Sequence, residues 1–406
     1  LVIEVSIVRP GPIQGGMVHP YLRRRNGMEP VVYAHPDLEP ILERTLGVPL
    51  FQEQVMRMAV VVGGFTPGQA DALRRAMGAW RKRGTLEGLG RQLVRSMVER
   101  GINPKYADSV CEQIKGFGEY GFPESHASSF SLLVYVSGWL KCHYPAAFAA
   151  ALINSQPMGF YRPGSIVADA ERHQVRVCRV SIQYSYWDCV LEKGADRPDL
   201  RLGFRLVKGL GQVEAEKIVE ARVDGPFTDV LDVANRTGLS RMVLEKMAEA
   251  DVFADLGVDR RTAAWTIQGQ WTQLPLFQTL RRREPIPVFR PEGPLQGIKK
   301  DYRTVGFSVG QHPMQRVRPM LGPGVWPLSS LWDLESGQSV TIAGLVINRQ
   351  RPQTASGVIF MTLEDESALV NIVVWPKIWE RQRKLAQKAS LLGVHGVLQK
   401  ERQAIS

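Results

Sequence analysis

Two side chains that could grip an anion, Ser125 and His126, stand between a glycine-rich stretch and a long apolar one. Residues 116–126 contain Gly, Phe and Pro at a density typical of a tight loop. The apolar residues of 127–140 then predict a buried helix. The first turn of that helix would offer free N–H groups and a positive dipole end to an anion. The residue types leave an alternative open, in which Ser125 only caps the helix and His126 has no role in binding.

Two adjacent arginines, Arg74 and Arg75, follow the apolar residue Leu73 in a segment with clear helix signals. Because Leu73 belongs to an apolar stripe at helical spacing, we expect both arginines to point out of the core. Further cationic residues follow at 81–83. A planar guanidinium group can hold two non-bridging oxygens at once, so this dense positive site suits a triphosphate.

Two other stretches have residue types that could contact DNA phosphates. One is a run of three arginines, and the other is a Gly-apolar-Gly turn between two short helical segments. Glycines let the backbone approach a phosphate, and the amides that open the next helix can bind it. A solvated surface and an ordinary glycine-rich turn are the respective alternatives. The candidate DNA-binding residues are Arg23, Arg24, Arg25, Lys208, Gly209 and Gly211.

Composition limits the class of protein. The 406 residues are 44% hydrophobic, enough for two to four domains with their own cores. Lys plus Arg exceed Asp plus Glu by 51 to 40, and a formal charge of +11 favours a polyanionic partner. No signal peptide is recognisable, and the apolar run is too short to span a bilayer, so we expect a cytoplasmic protein. The cysteines lack metal-binding spacing and predict reduced thiols: Cys111, Cys142, Cys178 and Cys189.

Helix signals are clearest in the first part of the chain. Thr66-Pro67-Gly68-Gln69 offers an N-cap, a proline at the first helical position and a capping-box glutamine. Two further helices are predicted from Thr85 and from Asn103-Pro104, and another from Pro145 to Asn154. Their apolar stripes indicate core packing rather than a cofactor site.

The second part of the chain is more mixed. Alternation between residues 175 and 182 predicts a short strand connection. Residues 266–335 are rich in Pro and Gly, which predicts a linker or an irregular cap with scattered strands at most. From Val340 a strand-strand-strand-helix-strand order fits an OB-fold barrel whose last strand is cut. Phe360 and Trp375 could stack bases, but we expect one or both to face the barrel core.

Several segments resemble bacterial C-family DNA polymerases of the DNA polymerase III alpha-subunit type. They occur in the family's order along nearly the whole chain: VRPGPIQ at 8–14, LFQEQVM at 50–56, LRRAMG at 73–78, and YGFPESH with WLKCHYP within 120–145. Finer details are similar to the shorter, error-prone paralogue that acts in damage tolerance. These details are MVHPYLRRR at 17–25, WRKRG at 80–84, FPESH at 122–126 and NSQPMGFY at 154–161.

The resemblance implies roles for individual residues. In the family this region faces the incoming nucleotide, which implies nucleotide contacts by Arg9, Arg74, Arg75, Lys82, Ser125 and His126. A peptide similar to the one by which bacterial polymerases hold the sliding clamp contains Gln273, Leu274, Leu276 and Phe277. A second hairpin near 244–251 has Asp251 where the family usually has Gly, so phosphate binding is not expected there.

The resemblance also bears on catalysis. Nucleotidyl transfer needs two divalent metals, Mg²⁺ in this family, held by carboxylates. Those carboxylates belong to a palm domain that precedes the segment present here, and this chain shows no Asp-x-Asp motif in a strand context. We therefore expect no catalytic or metal-binding residues in this chain, and we expect the fragment alone to be inactive.

The predicted architecture is a multidomain α+β fold with five parts. These are largely α-helical fingers (1–160), a short β connection (161–200), a helix-hairpin-helix DNA-binding region (201–265), a linker with the clamp-binding-like peptide (266–335) and a truncated OB-fold (336–406).

The predicted function is that of a fragment of an error-prone DNA-directed DNA polymerase in translesion synthesis and repair. Expected partners are primed template DNA, deoxynucleoside triphosphates, a sliding clamp and accessory mutagenesis proteins. The alternatives are a fragment of the replicative subunit and a non-catalytic helix-hairpin-helix/OB repair scaffold.

Overall fold

The computed structural model of the chain describes residues 1–7, 18–78, 83–117, 123–159, 162–269, 287–290, 292–352, 357–401 and 404–405. They form two compact units, Leu1–Trp139 and Leu140–Ser406.

The first unit is helical. Its helices are α1 (Val2–Ile7), α2 (Val18–Arg25), α3 (Glu39–Leu42), α4 (Gln52–Val61), α5 (Pro67–Gly78), α6 (Arg83–Glu99), α7 (Pro104–Phe117) and α8 (Glu124–His143), whose last residues belong to the second unit. Short 3-10 turns at Pro36–Leu38 and Glu43–Thr45 flank α3. One apolar cluster forms the core, with Phe51, Met58, Leu73, Met77 and Leu93 among its fully buried members.

A buried glutamine fixes the entry to α4. The Gln54 Oε1 accepts hydrogen bonds from the backbone N–H groups of Leu50 (2.9 Å) and Phe51 (3.1 Å). Its amide Nε2 donates to the Ile41 carbonyl (3.0 Å) and to Thr45 Oγ1 (2.8 Å). One side chain thereby satisfies orphan donors at the start of α4 and ties that helix to the end of α3 and the turn after it.

The predicted start of α5 is confirmed. The Thr66 N–H donates to Gln69 Oε1 (2.8 Å) and the Gln69 N–H donates to Thr66 Oγ1 (3.3 Å), which is a capping box. Helix α7 begins at Pro104 as predicted, with the Asn103 side chain accepting from the Lys105 N–H at 2.9 Å. Helix α6 begins at Arg83, two residues before the predicted cap.

The prediction that the helix over 127–140 is buried is wrong. Helix α8 packs through Ala127 and Ser131, whereas eight large apolar side chains are 40–65% exposed: Phe130, Leu132, Leu133, Val134, Tyr135, Val136, Trp139 and Leu140. An apolar sequence indicates what a helix can bury, but burial also needs a packing partner. Among the described residues, no helix is long and apolar enough to cross a membrane.

The second unit begins with helices α9 (Pro145–Asn154) and α10 (Pro163–Arg172), followed by strands β1 (Val177–Cys178), β2 (Val190–Glu192) and β3 (Asp199–Arg201). The predicted helix from Pro145 is confirmed. Strand β3 lies in the middle of this small sheet, parallel to β1 and antiparallel to β2. The alternation over 175–182 yields only the two-residue strand β1, because Ser181 and its neighbours form a turn.

Four helices around two hairpins follow: α11 (Gln212–Ala221), α12 (Val230–Thr237), α13 (Arg241–Glu249) and α14 (Arg260–Gln268). Their apolar faces share one core with the small sheet and with Phe307. The expectation of scattered strands at most over 266–335 is wrong for the described residues. Helices α15 (Pro294–Thr304) and α16 (Pro313–Val317) lie there, because Pro294 and Pro313 occupy the first helical positions.

The last part is a curled sheet with its own core. Strands β5 (Ser339–Gln350), β6 (Ile359–Glu364) and β7 (Leu369–Val374) pair antiparallel, helix α17 (Pro376–Lys388) follows, and β8 (Leu391–Val397) returns antiparallel to β5. The short β4 (Val325–Trp326) runs parallel to β5, and β9 (Lys400–Glu401) pairs with β10 (Ala404–Ile405). The predicted strand and helix order and the α+β fold class with an OB-fold are confirmed.

Candidate nucleotide and nucleic-acid interface

The arginine pair of α5 lies on the surface of the first unit. Arg74 Nε is 2.9 Å from Asp71 Oδ1, and an Arg75 guanidinium nitrogen is 3.1 Å from Asp71 Oδ2. The two side chains are 45% and 67% exposed, whereas Leu73 beside them is fully buried. Two cations share one carboxylate, so the group carries a net positive charge and can exchange Asp71 for a phosphate oxygen.

The start of α8 already holds a carboxylate. The Glu124 N–H donates to Glu53 Oε2 of α4 at 3.0 Å, and Glu124 itself forms an ion pair with Arg44. Because the helix begins at Glu124, Ser125 lies inside the first turn and is not the N-cap. The His126 ring packs edge-on against Phe130 at 4.5 Å. An anion at this helix start would therefore meet Glu53 as a competitor.

Two of the arginines at the end of α2 form ion pairs within the first unit. Arg23 and Arg24 both pair with Glu29, at 2.9 and 3.2 Å, and Arg24 also donates to the Leu46 carbonyl at 2.7 Å. Arg24 is thus a structural link. Arg25 lines a cavity of about 290 Å³ together with Arg44.

The first hairpin has the geometry that a phosphate contact requires. Gly209 has a φ of +84°, which L-residues rarely adopt, and Leu210 beside it is buried. Gly211 is the extended residue that precedes α11, so the amides of the first turn of α11 follow it directly. The Glu214 carboxylate lies at this helix start as well, since a Cβ built on Gly211 would lie 2.3 Å from its Oε2, so a phosphate would have to displace it. The hairpin therefore combines a backbone that a phosphate can approach closely with the N-terminus of α11, a helix of ten residues.

The lysine predicted to assist this hairpin has another partner. Lys208 Nζ donates to the Arg303 carbonyl at 3.0 Å and lies 3.4 Å from the Tyr302 carbonyl, at the C-terminal end of α15. The cation beside the turn is Lys246 of α13, since a Cβ built on Gly209 would lie 2.3 Å from its Nζ. Sequence reasoning missed Lys246, because no local pattern links positions 37 residues apart.

An acidic residue, Asp251, lies at the turn of the second hairpin. Asp251 has a φ of +64°, which explains why a glycine would suit this position. Its carboxylate lies 3.2 Å from Arg179 and 3.5 Å from the buried Arg260. Burial raises the pKa of Asp251 above its ordinary value, although both arginines act in the opposite direction. The expectation that this second hairpin does not bind phosphate stays a prediction.

The two aromatic residues considered for base stacking, Phe360 and Trp375, are exposed, and the expectation that one or both face the core is wrong. Phe360 is 37% exposed on the outer face of β6, because its neighbours Ile359 and Met361 occupy the core side. Trp375, which precedes α17, is 61% exposed. Gln350 and Val373 pair with Phe360 across the sheet and flank it.

The remaining predicted residues lie outside the described part of the chain. They are Arg9, Lys82, Gln273, Leu274, Leu276 and Phe277. The four cysteines are reduced thiols, and burial raises the pKa of Cys189 to about 11. Within the described ranges, no three His, Cys, Asp or Glu side chains are grouped so that they could hold a metal ion.

Comparisons with known proteins match three parts of the chain. Residues 1–101 match the bacterial DNA polymerase III alpha subunit finger domain, residues 174–263 a helix-hairpin-helix motif, and residues 340–406 an OB-fold nucleic acid binding domain. The finger match is not explained by a repair scaffold that contains only helix-hairpin-helix and OB modules.

Similar curated proteins cover nearly the whole chain. It is 47% identical to the error-prone DNA polymerase of Methylococcus capsulatus, over 99% of this chain and 40% of the relative. It is 50% identical to the error-prone DNA polymerases of Alkalilimnicola ehrlichii (99% of this chain, 39% of the relative) and Pseudomonas paraeruginosa (98% and 39%). The chain thus spans about 40% of the length of these relatives. Together, the finger-domain match and these similarities show that nearly the whole chain is similar to one part of bacterial error-prone DNA polymerases.

Proposed function

We propose that this chain is the DNA- and nucleotide-gripping part of an error-prone DNA-directed DNA polymerase that acts in translesion synthesis and repair. The observation that carries the proposal is the first hairpin, where Gly209, the start of α11 and the Lys246 amine converge. The similarity to error-prone relatives supports this subclass over the replicative one. We keep the five-part division at 1–160, 161–200, 201–265, 266–335 and 336–406 as part of the proposal.

In this proposal the hairpin holds the backbone of duplex DNA. The amides of the first turn of α11 donate to a phosphate, and Lys246 supplies the positive charge beside them. Lys208 has an indirect role, because its bonds to the end of α15 orient the turn. Such contacts read no sequence, which suits a polymerase that must move along any template.

The nucleotide-binding role is assigned to the surface of α5. Arg74 and Arg75 would exchange Asp71 for the triphosphate of an incoming deoxynucleotide, with Arg9, Lys82, Ser125 and His126 as the further contacts that the family resemblance implies. The family resemblance, rather than an observation on this chain, implies that the metal ions are held by residues outside it. We propose that the palm carboxylates of the longer protein hold the ions.

The hairpin assignment is tested by a matched pair of lysine variants. Lys246→Ala should weaken binding of a blunt DNA duplex and lower the slope of log K against log salt by about one, because one phosphate contact is lost. Lys217→Ala removes the same charge from an exposed position on α11 and should change binding little. Binding is measured by fluorescence anisotropy. If both variants weaken DNA binding equally, the protein attracts DNA by its overall charge and not through a specific contact at the hairpin.

Further partners are proposed from sequence. We propose that residues 273–277 hold a sliding clamp, that accessory mutagenesis proteins assist the intact enzyme, and that it works in the cytoplasm. In an extended peptide, Leu276 and Phe277 can enter an apolar pocket while Gln273 anchors the other end. Replacing both apolar residues by Ala should abolish clamp binding without changing the melting temperature. If the variant has a lower melting temperature and the unmutated chain does not bind the clamp, Leu276 and Phe277 are core residues.

A further inference from the structure

The turn before β2 exposes two aromatic rings on a rigid backbone. Tyr184 and Tyr186 are 56% and 50% exposed. Between them lies Ser185, which is fully buried, and Ser181 at the start of the turn is also buried. The two rings therefore project from a segment whose alternate residues are fixed in the interior.

Hydrogen bonds from the two serines hold this turn. The Ser181 N–H donates to Ser185 Oγ at 2.9 Å, and the Ser185 hydroxyl donates to the Leu202 carbonyl at 2.7 Å. The Tyr184 N–H donates to Ser181 Oγ at 3.2 Å. On the far side, the Phe204 N–H donates to the Tyr186 carbonyl at 2.8 Å. Because the backbone is already ordered, presenting the rings to a ligand costs little conformational entropy.

Arginines cover one side of each ring. The guanidinium carbon of Arg201 lies 5.5 Å from the centre of the Tyr184 ring, and that of Arg222 lies 5.2 Å from the centre of the Tyr186 ring. Arg201 is paired with Glu192 at 2.7 Å. Arg222 donates instead to the Gln183 carbonyl at 2.7 Å and to the Ser185 carbonyl. In the described part of the chain it has no ion pair with a carboxylate, so its charge is available to an anion.

Helix α11 connects this turn with the first hairpin. Gly211 precedes the helix and Arg222 follows its last residue, and ten helical residues span about 15 Å. A strand whose phosphate is held at Gly211 could therefore reach the Tyr186 ring within a few nucleotides.

We propose that Tyr184 and Tyr186 form a stacking platform for the unpaired bases of single-stranded DNA next to the duplex held at the hairpin. The inference rests on the proposed DNA-binding function and assigns the turn a separate ligand class. Stacking on a ring requires a splayed base, so the platform selects single strands, and the positive charge of Arg222 favours their phosphates. Aromatic faces accept every base, so the platform reads no sequence.

The test compares binding of a fluorescein-labelled oligo(dT) with binding of a blunt duplex to the full chain. Tyr184→Ala and Tyr186→Ala should each weaken oligo(dT) binding by about tenfold, while duplex affinity stays unchanged. Tyr→Phe at either position should preserve both, since the stacking ring remains. Trp265→Ala is the matched control, because Trp265 is a 45% exposed ring elsewhere in the unit and should not affect oligo(dT).

Photocrosslinking gives a readout that does not depend on the stability of a variant. Oligo(dT) that carries 5-iodouracil should crosslink to Tyr184 or Tyr186 in the wild-type chain, as located by mass spectrometry. No crosslink in this turn, or full oligo(dT) affinity in the folded alanine variants, would overturn the platform. Loss of duplex binding by the wild-type chain would instead contradict the proposed function, so the two failures are distinguishable.

Discussion

Gly209 has a left-handed backbone, and its α-carbon faces the end of the Lys246 side chain. Gly209→Ala should therefore lower the free energy of unfolding by at least about 1–2 kcal/mol, the cost of a strained backbone, because the methyl group also displaces Lys246. It should weaken duplex binding as well. Urea denaturation and anisotropy measure the two effects.

Gly238 offers a matched control for that substitution. It is also left-handed, with a φ of +59°, but an added Cβ would meet no heavy atom within 4 Å. Gly238→Ala should lower the free energy of unfolding only by the cost of the strained backbone, and it should leave DNA binding unchanged. If Gly238→Ala weakens DNA binding as much as Gly209→Ala does, the hairpin is not the contact.

Arg74 and Arg75 make exposed ion pairs with Asp71, which contribute little to stability. In the intact polymerase, Arg74→Ala or Arg75→Ala should cost about 1.5–3 kcal/mol of nucleotide binding, since a charge-assisted contact is lost. Steady-state kinetics should show a raised KM for the nucleotide with unchanged affinity for primed DNA. Arg95→Ala, an exposed arginine on α6, is the control. Unaltered nucleotide kinetics in both variants would make the pair a solvated surface.

At the scale of elements, α8 presents a large exposed apolar surface. Its consecutive apolar residues 132–136 are all exposed, so apolar side chains face solvent around the whole circumference of the helix. Monomeric proteins rarely expose continuous apolar surfaces of this kind.

Substitutions on this helix should separate exposed from packed positions. Leu132→Gln and Leu133→Gln should each change the free energy of unfolding by no more than about 0.5 kcal/mol, because both side chains are exposed. They should also reduce aggregation of the chain. The core control Leu93→Ala should cost about 2–5 kcal/mol in the same denaturation experiment. A core-like loss at Leu132 or Leu133 would show that α8 is packed.

The turn between β6 and β7 depends on the buried carboxylate of Asp365. Burial would raise the pKa of Asp365, but the N–H groups of Leu328, Ser367 and Ala368 and the Ser367 hydroxyl outweigh it and lower the pKa. A lowered carboxyl pKa stabilises the fold above the unfolded-state value of about 3.9. That contribution is lost as the pH falls through the folded-state pKa.

Asp365→Asn should therefore destabilise the OB-fold by about 2 kcal/mol at pH 7. Both carboxylate oxygens accept hydrogen bonds, an amide NH2 group cannot accept, and the ion pair with Arg318 is lost. The variant should also lose less stability than the wild type between pH 5 and pH 2, which thermal melts at a series of pH values would measure. If the variant loses as much stability between pH 5 and pH 2 as the wild type does, carboxylates other than Asp365 cause the acid destabilisation.

Local signals predicted local features well. The capping box at Thr66 and the apolar stripe through Leu73 and Met77 gave the bounds and the buried face of α5, because both depend on residues a few positions apart. The Gly-apolar-Gly spacing likewise located the first hairpin.

Long-range pairings could not be predicted in this way. Lys246 against Gly209, Glu53 at the start of α8 and Arg44 with Glu124 join residues far apart in sequence, and no periodicity encodes them. The exposure of α8 was missed for a related reason, since its composition does not reveal whether a packing partner is present.

At the scale of the whole molecule, the chain combines a net charge of +11 with a finger unit, a hairpin region and an OB-fold. The finger-domain model is that of a DNA polymerase subunit, and the OB-fold model is that of a nucleic acid binding domain. The polymerase relatives are about two and a half times as long as this chain, which spans 40% of their length. In the proposed function, this chain binds DNA and nucleotide, and metal-dependent chemistry would need residues outside it.

The most direct test measures DNA binding and primer extension in one sample. Highly purified chain is mixed with a labelled primer–template, Mg²⁺ and all four deoxynucleotides, and anisotropy and primer length are followed together. We expect salt-dependent binding that Lys246→Ala weakens and Lys217→Ala does not, with no primer extension. Template-dependent extension, or no binding of the primed DNA, would contradict this expectation.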